Sequence, residues 1–229
     1  PVTEFIARGF PNTAILAVSA LGLALLTGIP LGVVAAIKHN SWIDRFAMAF
    51  ALLGVATPSF VLAPVLTLVL AVRMGWLPVG GFSLQEGIVD PATFILPTVV
   101  LAARSSALIA RLTRSAMLDV LSQDFIRTAR AKGVRPLGVL FKHALRNALS
   151  PILTVAGTTF GYLLSGSFVV ETFFTIPGIG NQSITAITAR DYPVIQGTLL
   201  VIAAIYVFIN LAIDFLYTLV DPRIRLEAP

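Results

Sequence analysis

Residues 11–37 read PNTAILAVSALGLALLTGIPLGVVAAI, 27 residues without a charge. As a helix rising ~1.5 Å per residue, such a run exceeds the roughly 30 Å hydrocarbon layer of a bilayer. No core in water needs it, and the rest of the chain repeats it. Phe46–Val72 is uncharged over 27 residues, Asn147–Val170 over 24 and Tyr192–Ile213 over 22, while Ala92–Ala110 is interrupted only by Arg104. The reading is an all-α integral membrane protein with five transmembrane helices, at about 11–37, 46–72, 92–116, 147–170 and 193–219. A cytoplasmic loop, 118–146, joins the third to the fourth, and outer loops cover 73–91 and 171–192. The composition of the 229 residues agrees: 57% are hydrophobic, 12% are charged and the mean hydropathy is +0.91. A soluble domain carries about twice that charge, so a soluble globule and a long disordered tail are both excluded. The absence of cysteine excludes disulfides, iron–sulfur clusters and thiolate zinc. The first stretch is no signal peptide, being too long and having neither a basic run before it nor a small-residue cleavage site after it.

Loop charge orients the chain. The first loop holds Lys38, His39, Asp44 and Arg45, and the C-terminal tail holds Arg223 and Arg225. Between Arg111 and Arg146 lie eight basic residues and only two acidic ones, Asp119 and Asp124. The intervening loops, with Arg73, Glu86 and Asp90 and then Glu171, Arg190 and Asp191, are each net −1. Basic loops stay in the cytoplasm, so the two sets alternate as spans require and the C-terminus is cytoplasmic. The same rule explains the net charge of +5 without invoking nucleic acid. Five spans ending inside put residue 1 outside, and the expectation is that an earlier N-terminal segment with one more span precedes this sequence.

Several spans carry helix breakers: Pro30, then Pro58 and Pro64, then Pro97, then Pro151. Each removes a backbone hydrogen bond and kinks the helix unless neighbours compensate. Small residues recur at four-residue spacing, Gly28 and Gly32, then Gly157, Gly161 and Ser165, which lets helices approach closely. They serve either packing within one bundle or, for the second set, contact with a partner or a path. Two ionisable residues enter spans, Arg104 near the middle of the third and Asp214 near the inner end of the last. A charge at a helix centre costs ~2.5–3.5 kcal/mol on insertion scales, so each should face protein or water. Arg104, Arg111 and Arg114 share a broad face, and Asp214 lies at a depth where Arg111 or Arg114 would pair with it. Arg104 serves either a pathway or a structural role. Tyr162, Ser165, Ser167 and Asn210 are further candidates for a path.

The cytoplasmic loop has punctuation of its own. Asp124 is placed to cap a short helix, Phe125 to Lys132, and Gly133 to end it in a left-handed conformation. Pro136 suits the first turn of the next helix. There Leu137, Leu140, Phe141, Ala144, Leu145 and Ala148 form an apolar stripe leading along the interface into the fourth span. The loop is either a basic surface held to anionic lipid or a plug for another protein.

These residues carry a resemblance. Asp124-Phe125-Ile126-Arg127-Thr128-Ala129-Arg130-Ala131-Lys132-Gly133, followed by His143-Ala144-Leu145-Arg146-Asn147-Ala148, resembles the cytoplasmic motif of binding-protein-dependent ABC transporter permeases, nearest the oligopeptide/dipeptide/nickel branch. The general motif has Glu-Ala-Ala, three residues, then Gly; here those places hold Arg127, Thr128, Ala129 and Gly133. Trp76-Leu77-Pro78, Glu171-Thr172-Phe173 with Ile176-Pro177-Gly178-Ile179-Gly180, Arg190-Asp191-Tyr192-Pro193 and Asp221-Pro222-Arg223-Ile224-Arg225 resemble other segments of that branch, in order along nearly the whole chain. The pattern is nearer the first of the two permeases of such systems, whose extra N-terminal span matches the one inferred from topology.

The resemblance implies a permease subunit of an ATP-driven importer in a bacterial-type inner membrane, moving short peptides. Its partners would be a second homologous permease, two ATP-binding subunits holding ATP and Mg2+, and an extracytoplasmic substrate-binding protein. Arg127, Thr128, Ala129, Arg130, Ala131, Lys132, Gly133 and Val134 would contact the ATPase, and Glu171, Pro177, Gly178 and Gly180 would form an outer gate or binding-protein contact. No catalytic residue, metal site or cofactor is expected in this chain. One point stands apart from the resemblance: none of the three lysines, Lys38, Lys132 and Lys142, sits in a Gly-x-x-x-x-Gly-Lys-Ser/Thr phosphate loop, so ATP must be handled by another chain.

The rival is a secondary transporter or channel subunit without an ATPase. It would bring mid-membrane carboxylates, a filter-like loop or inverted repeats, and none is evident. An intramembrane enzyme is poorly served, since His39 and His143 are the only histidines, both in cytoplasmic loops, and no Gly-x-Ser-x-Gly is present.

Overall fold

The computed structural model describes residues 2–80 and 92–220, excepting the side chains of 165, 166, 213, 214 and 216–220. The roles expected of Asp214 and Ser165, the ending at Asp221–Arg225, and the part of the outer loop over 81–91 therefore lie outside what is described. Among the described residues there is no strand. In chain order the helices are α1 (Val2–Ile37), α2 (Trp42–Ala56), α3 (Ser59–Leu66), α4 (Ala92–Leu121), α5 (Asp124–Ala131), α6 (Pro136–Gly138), α7 (Arg146–Gly166), α8 (Phe168–Phe173), α9 (Ile179–Ala189) and α10 (Tyr192–Val220). A π-helical segment, Thr67–Arg73, continues α3, and another, Val139–Leu145, connects α6 to α7.

The fold is organised on the pair α1 and α4, which share the most extensive helix–helix contact among the described residues. Small residues make it possible. A Cβ on Gly28 would lie 2.7 Å from the Ser106 carbonyl oxygen, and one on Gly32 would lie 2.5 Å from that of Ala110. Ala17, Ala20, Ala24 and Ala36 extend the buried face of α1. Thr27 and Ser106 join their hydroxyls across the contact at 2.6 Å. Such close approach is how helices associate where lipid supplies no hydrophobic drive. Of the later set, Gly161 is used within the bundle too: it faces the Tyr206 ring of α10, where a Cβ would sit 2.9 Å away.

Among the described residues, α1, α4 and the 192–212 part of α10 are long and apolar enough to cross a membrane. Their environments differ. Half of the apolar window of α4 is buried inside the molecule, against 11% for α10, so α4 is central and α10 is peripheral. The 21 residues of α7 match the length of a crossing. The stretch expected to span at 46–72 is not one rod. It is two helices bent by 105°, a broken span or a re-entrant loop. The cause is local: Pro58 offers no N–H and holds Thr57 extended, at φ −86° and ψ 116°. Pro11, Pro30, Pro97 and Pro151, by contrast, lie inside continuous helices.

Candidate functional site

The short helix α5, in the loop expected to be cytoplasmic, is mounted on short connections. Two residues separate it from α4, whose end is closed by hydrogen bonds from the Ser122 N–H to the Leu118 carbonyl and from the Gln123 N–H to that of Val120. Gln123 rather than Asp124 takes the N-cap position, and no side chain caps the helix. Asp124 stands one residue inside, in the first turn, where its carboxylate still complements the positive helix end and accepts from Arg127 at 3.2 Å. At the other end Gly133 adopts φ +77°. Its N–H donates to the Arg130 carbonyl at 3.0 Å, and the Val134 N–H donates to that of Ala129 at 3.2 Å. This pair of bonds is a Schellman motif, and the left-handed residue within it is the glycine the spacing predicts.

The α5 motif has two faces. Ile126 is fully buried and Ala129 is 8% exposed, so they fasten the helix to the bundle, and Val134 packs partly against the same core. Arg127, Thr128, Arg130, Ala131, Lys132 and Gly133 are exposed. Nothing lies within 4 Å of where a Gly133 side chain would begin. Ala129, expected to allow close approach of a partner, instead faces inward.

The next helix also departs from expectation. Of the expected apolar stripe, Ala144 and Ala148 are buried, but Leu137 and Phe141 are 69% and 56% exposed. The π-helical geometry over Val139–Leu145 is the reason, because it shifts the inward register by one residue. The buried line becomes Val139, Ala144, Ala148 and Ile152.

At the opposite end, Glu171 on α8 is completely buried. The Thr13 hydroxyl of α1 donates to its Oε1 at 2.8 Å, the Ser167 hydroxyl donates to the same oxygen, and the Asn181 N–H in the first turn of α9 donates to Oε2 at 3.1 Å. Thr13 Oγ1 also accepts from the Ile179 N–H at 2.9 Å, and the Asn12 amide donates to the Pro177 carbonyl at 2.8 Å. A carboxyl at the positive end of α9 thus ties three helices together. The glycines serve its approach: a Cβ on Gly178 would fall 2.3 Å from Glu171 Oε2, and one on Gly180 would fall 2.8 Å from it. Glu171, Gly178 and Gly180 are buried, so their place is inside a latch rather than on a surface offered to a binding protein. Of the outer residues singled out, only Pro177 is partly exposed.

The three arginines of α4 separate. Arg104 is exposed, with its guanidinium 5.9 Å from the centroid of the Tyr162 ring, and Arg111 is exposed one face-repeat further on. Arg114 turns away and forms a bidentate pair with Asp44, Nε to Oδ1 at 2.5 Å and Nη2 to Oδ2 at 2.7 Å. Its partner is therefore Asp44, in the first turn of α2, while the expected pairing of Asp214 with Arg111 or Arg114 lies outside what is described. The Asp44 side chain is 4% exposed and also accepts from the Asn40 N–H, at 2.9 Å. The Ser41 hydroxyl caps α2 by accepting from the Asp44 N–H at 3.4 Å. The run Ser41-x-x-Asp44 was a legible sign of that helix start. Thr13 was less so, although Asn12-Thr13 is a polar pair inside an otherwise apolar run.

Among the described residues no group of three His, Cys, Asp or Glu side chains is placed to hold a metal. Comparison with known proteins adds a lineage to this geometry. Residues 28–226 match the family described as binding-protein-dependent transport system inner membrane component. Over 226 residues the chain is 44% identical to the dipeptide transport system permease protein DppB of Bacillus subtilis, covering 99% of this chain and 71% of that one. It is 42% identical over 226 residues to the glutathione transport system permease protein GsiC of Escherichia coli K12, covering 98% and 72%. Its fold is similar to that of a chain of the inward-facing MetNI methionine ABC transporter, with TM-score 0.81 at 19% identity over 96% of this chain and 98% of that chain.

Proposed function

The chain belongs to the binding-protein-dependent transport system inner membrane components, and from that premise we propose that it carries short peptides inward and takes its drive through α5. It is a membrane permease subunit of an ABC importer. Relatives named for dipeptide and glutathione transport support a substrate with a peptide backbone. The permease works beside a second, homologous permease. Two ATPase subunits with ATP and Mg2+ sit on the cytoplasmic side, where the C-terminus also lies. An extracytoplasmic binding protein delivers substrate to the outer face.

The observation that carries the coupling reading is the mounting of α5. Its inner face is fixed by Ile126 and Ala129, its outer face presents Arg127, Arg130 and Lys132, and its C-terminus turns at Gly133 with open space around it. Short links on both sides join it to α4 and, through α6 and the π-helical segment, to α7. A displacement imposed on α5 by a closing ATPase dimer would therefore pass into two long helices rather than being absorbed by slack loop. That is the mechanical requirement of a switch between inward and outward openings.

Replacing Gly133 tests it. Proline cannot adopt φ +77°, so Gly133→Pro destroys the Schellman motif. In a pull-down of the chain co-expressed with its chromosomal neighbours, the ATPase should be lost, or transport should stop, while the chain still inserts. A Gly133→Pro protein that retains its ATPase and transports normally would sink the coupling assignment. A stable unmodified chain that brings no ATPase would favour a channel or secondary carrier.

A further inference from the structure

On α4, Arg104, Leu108, Arg111, Ser115 and Asp119 are exposed. Their spacings of four, three, four and four keep them on one helical face. On α7 the same spacings connect Asn147, Pro151, Thr154, Thr158 and Tyr162, also exposed. The two helices pack against each other, and the two lines meet at both ends. At the upper end Arg104 stands over the Tyr162 ring, and both border a small cavity with Thr57 and Ser59. At the cytoplasmic end Ser115, Asp119, Asn147 and Pro151 border a second cavity of about 190 Å³. Arg104 and Asp119 are fifteen residues apart, or ~22 Å along the axis.

The contrast with α10 decides what this seam faces. That helix exposes Leu199, Leu200, Val207, Phe208 and Leu211, a surface suited to lipid. The threonines of the seam are tolerable in lipid, since Thr154 and Thr158 donate to the carbonyls of Ser150 and Thr154, each at 3.2 Å. Arg104, near the middle of the span, is not, and it takes part in none of the ion pairs among the described residues. A charge at that depth faces water or protein, and Arg111 and Asp119 continue the same face toward the cytoplasmic end.

Resting on the importer reading above, we propose that this seam is the wet wall of the translocation path, and that Arg104, steadied over the Tyr162 ring, recognises the carboxylate end of the peptide in transit. The guanidinium offers a planar fork that matches a carboxylate, and the aromatic face holds it without neutralising it. The small hydroxyls below it leave room for side chains of any kind. A peptide's one invariant anionic group is then the handle, and its sequence is not read.

The chain has no cysteine of its own, so single cysteines report directly on water. In the assembled complex in membrane vesicles, Ser115→Cys and Thr158→Cys should react with a charged, membrane-impermeant thiosulfonate added on the cytoplasmic side. Leu200→Cys, facing lipid, should not. If all three stay unreactive, or if Ser115→Cys cross-links to a cysteine in the second permease, the seam is a protein interface and the proposal fails. Arg104 is tested by competing a peptide with a free C-terminus against its amide. Loss of a charged hydrogen bond predicts that Arg104→Gln lowers the preference for the free acid on the order of tenfold, and that Arg104→Lys keeps part of it. An unchanged preference in Arg104→Gln overturns the carboxylate role. Failure here is separable from failure of the importer reading, because only the latter removes the ATPase from the unmodified complex.

Discussion

Asp44 shows how one residue acts at a distance in the chain. It is held by the Ser41 cap and the Asn40 N–H on its own loop, and by both nitrogens of the Arg114 fork from α4. The pair joins the first turn of α2 to the central helix. Removing one partner of a buried pair leaves a desolvated charge, which typically costs ~3–5 kcal/mol. Arg114→Ala should therefore destabilise strongly, Asp44→Ala should do so less because Arg114 retains some exposure, and the double variant should lose less than the sum of the two. Thermal unfolding of the three variants in detergent checks this, and strict additivity would show that the pair is not coupled. At this scale the sequence was partly legible. The capping signature at Ser41 could be read, and so could the presence of Arg114 near a span's end. Their meeting could not, because pairing depends on which helix stands beside which.

The latch around Glu171 belongs to the scale of elements. Its Thr13 and Glu171 are 158 positions apart, and α9 adds the Asn181 N–H. Glycines at 178 and 180 let the carboxyl approach the helix start, so their service is space rather than a recognition surface. Glu171→Gln keeps the shape but sets an N–H against donors that now meet an oxygen, and its expected cost is ~1–3 kcal/mol, as for a buried polar group left without its partner. Gly178→Ala should cost at least as much, since its Cβ would meet both Glu171 and Thr13. Limited proteolysis of the 171–192 region measures both, and a Gly178→Ala protein as resistant as the unmodified one would refute the latch. The Pro-Gly run at 177–178 announced a turn. Nothing in it announced that Glu171 would be buried rather than displayed. At the other end of the bundle, α5 was legible because its signals are local: an acid in the first turn, a glycine at the end, a proline opening the next helix. The π-helical shift over Val139–Leu145 was not, since a period read at 3.6 residues misses a single wide turn.

At the scale of the whole molecule, the bundle depends on how closely α1 approaches α4. Gly32→Leu should force the two helices apart, because even a Cβ there would lie 2.5 Å from one backbone oxygen and 2.6 Å from the Thr113 Cβ. Gly22→Leu is the control, with nothing within 4 Å of its Cβ. Overpacking costs roughly 1–3 kcal/mol where neighbours can shift, and more against backbone. The yield of monodisperse protein from detergent should fall for Gly32→Leu and hold for Gly22→Leu. Equal yields would mean that this contact does not organise the fold. The bend at Pro58 is a second global feature, turning the chain by 105° where hydropathy alone read one span.

Signals local to each segment were enough to place this chain in a membrane, to set the expectation of which loops face the cytoplasm, and to locate a short helix between α4 and α7. Those conclusions rest on hydropathy, loop charge and turn chemistry, all of which are local or additive along the chain. Tertiary structure alone decided that Arg114 belongs to Asp44, that Glu171 is a buried tie rather than an exposed contact, and that polar faces of α4 and α7 join in one seam. Each is a meeting of residues distant in sequence, set by helix rotation and close approach, and neither quantity is written in any one segment.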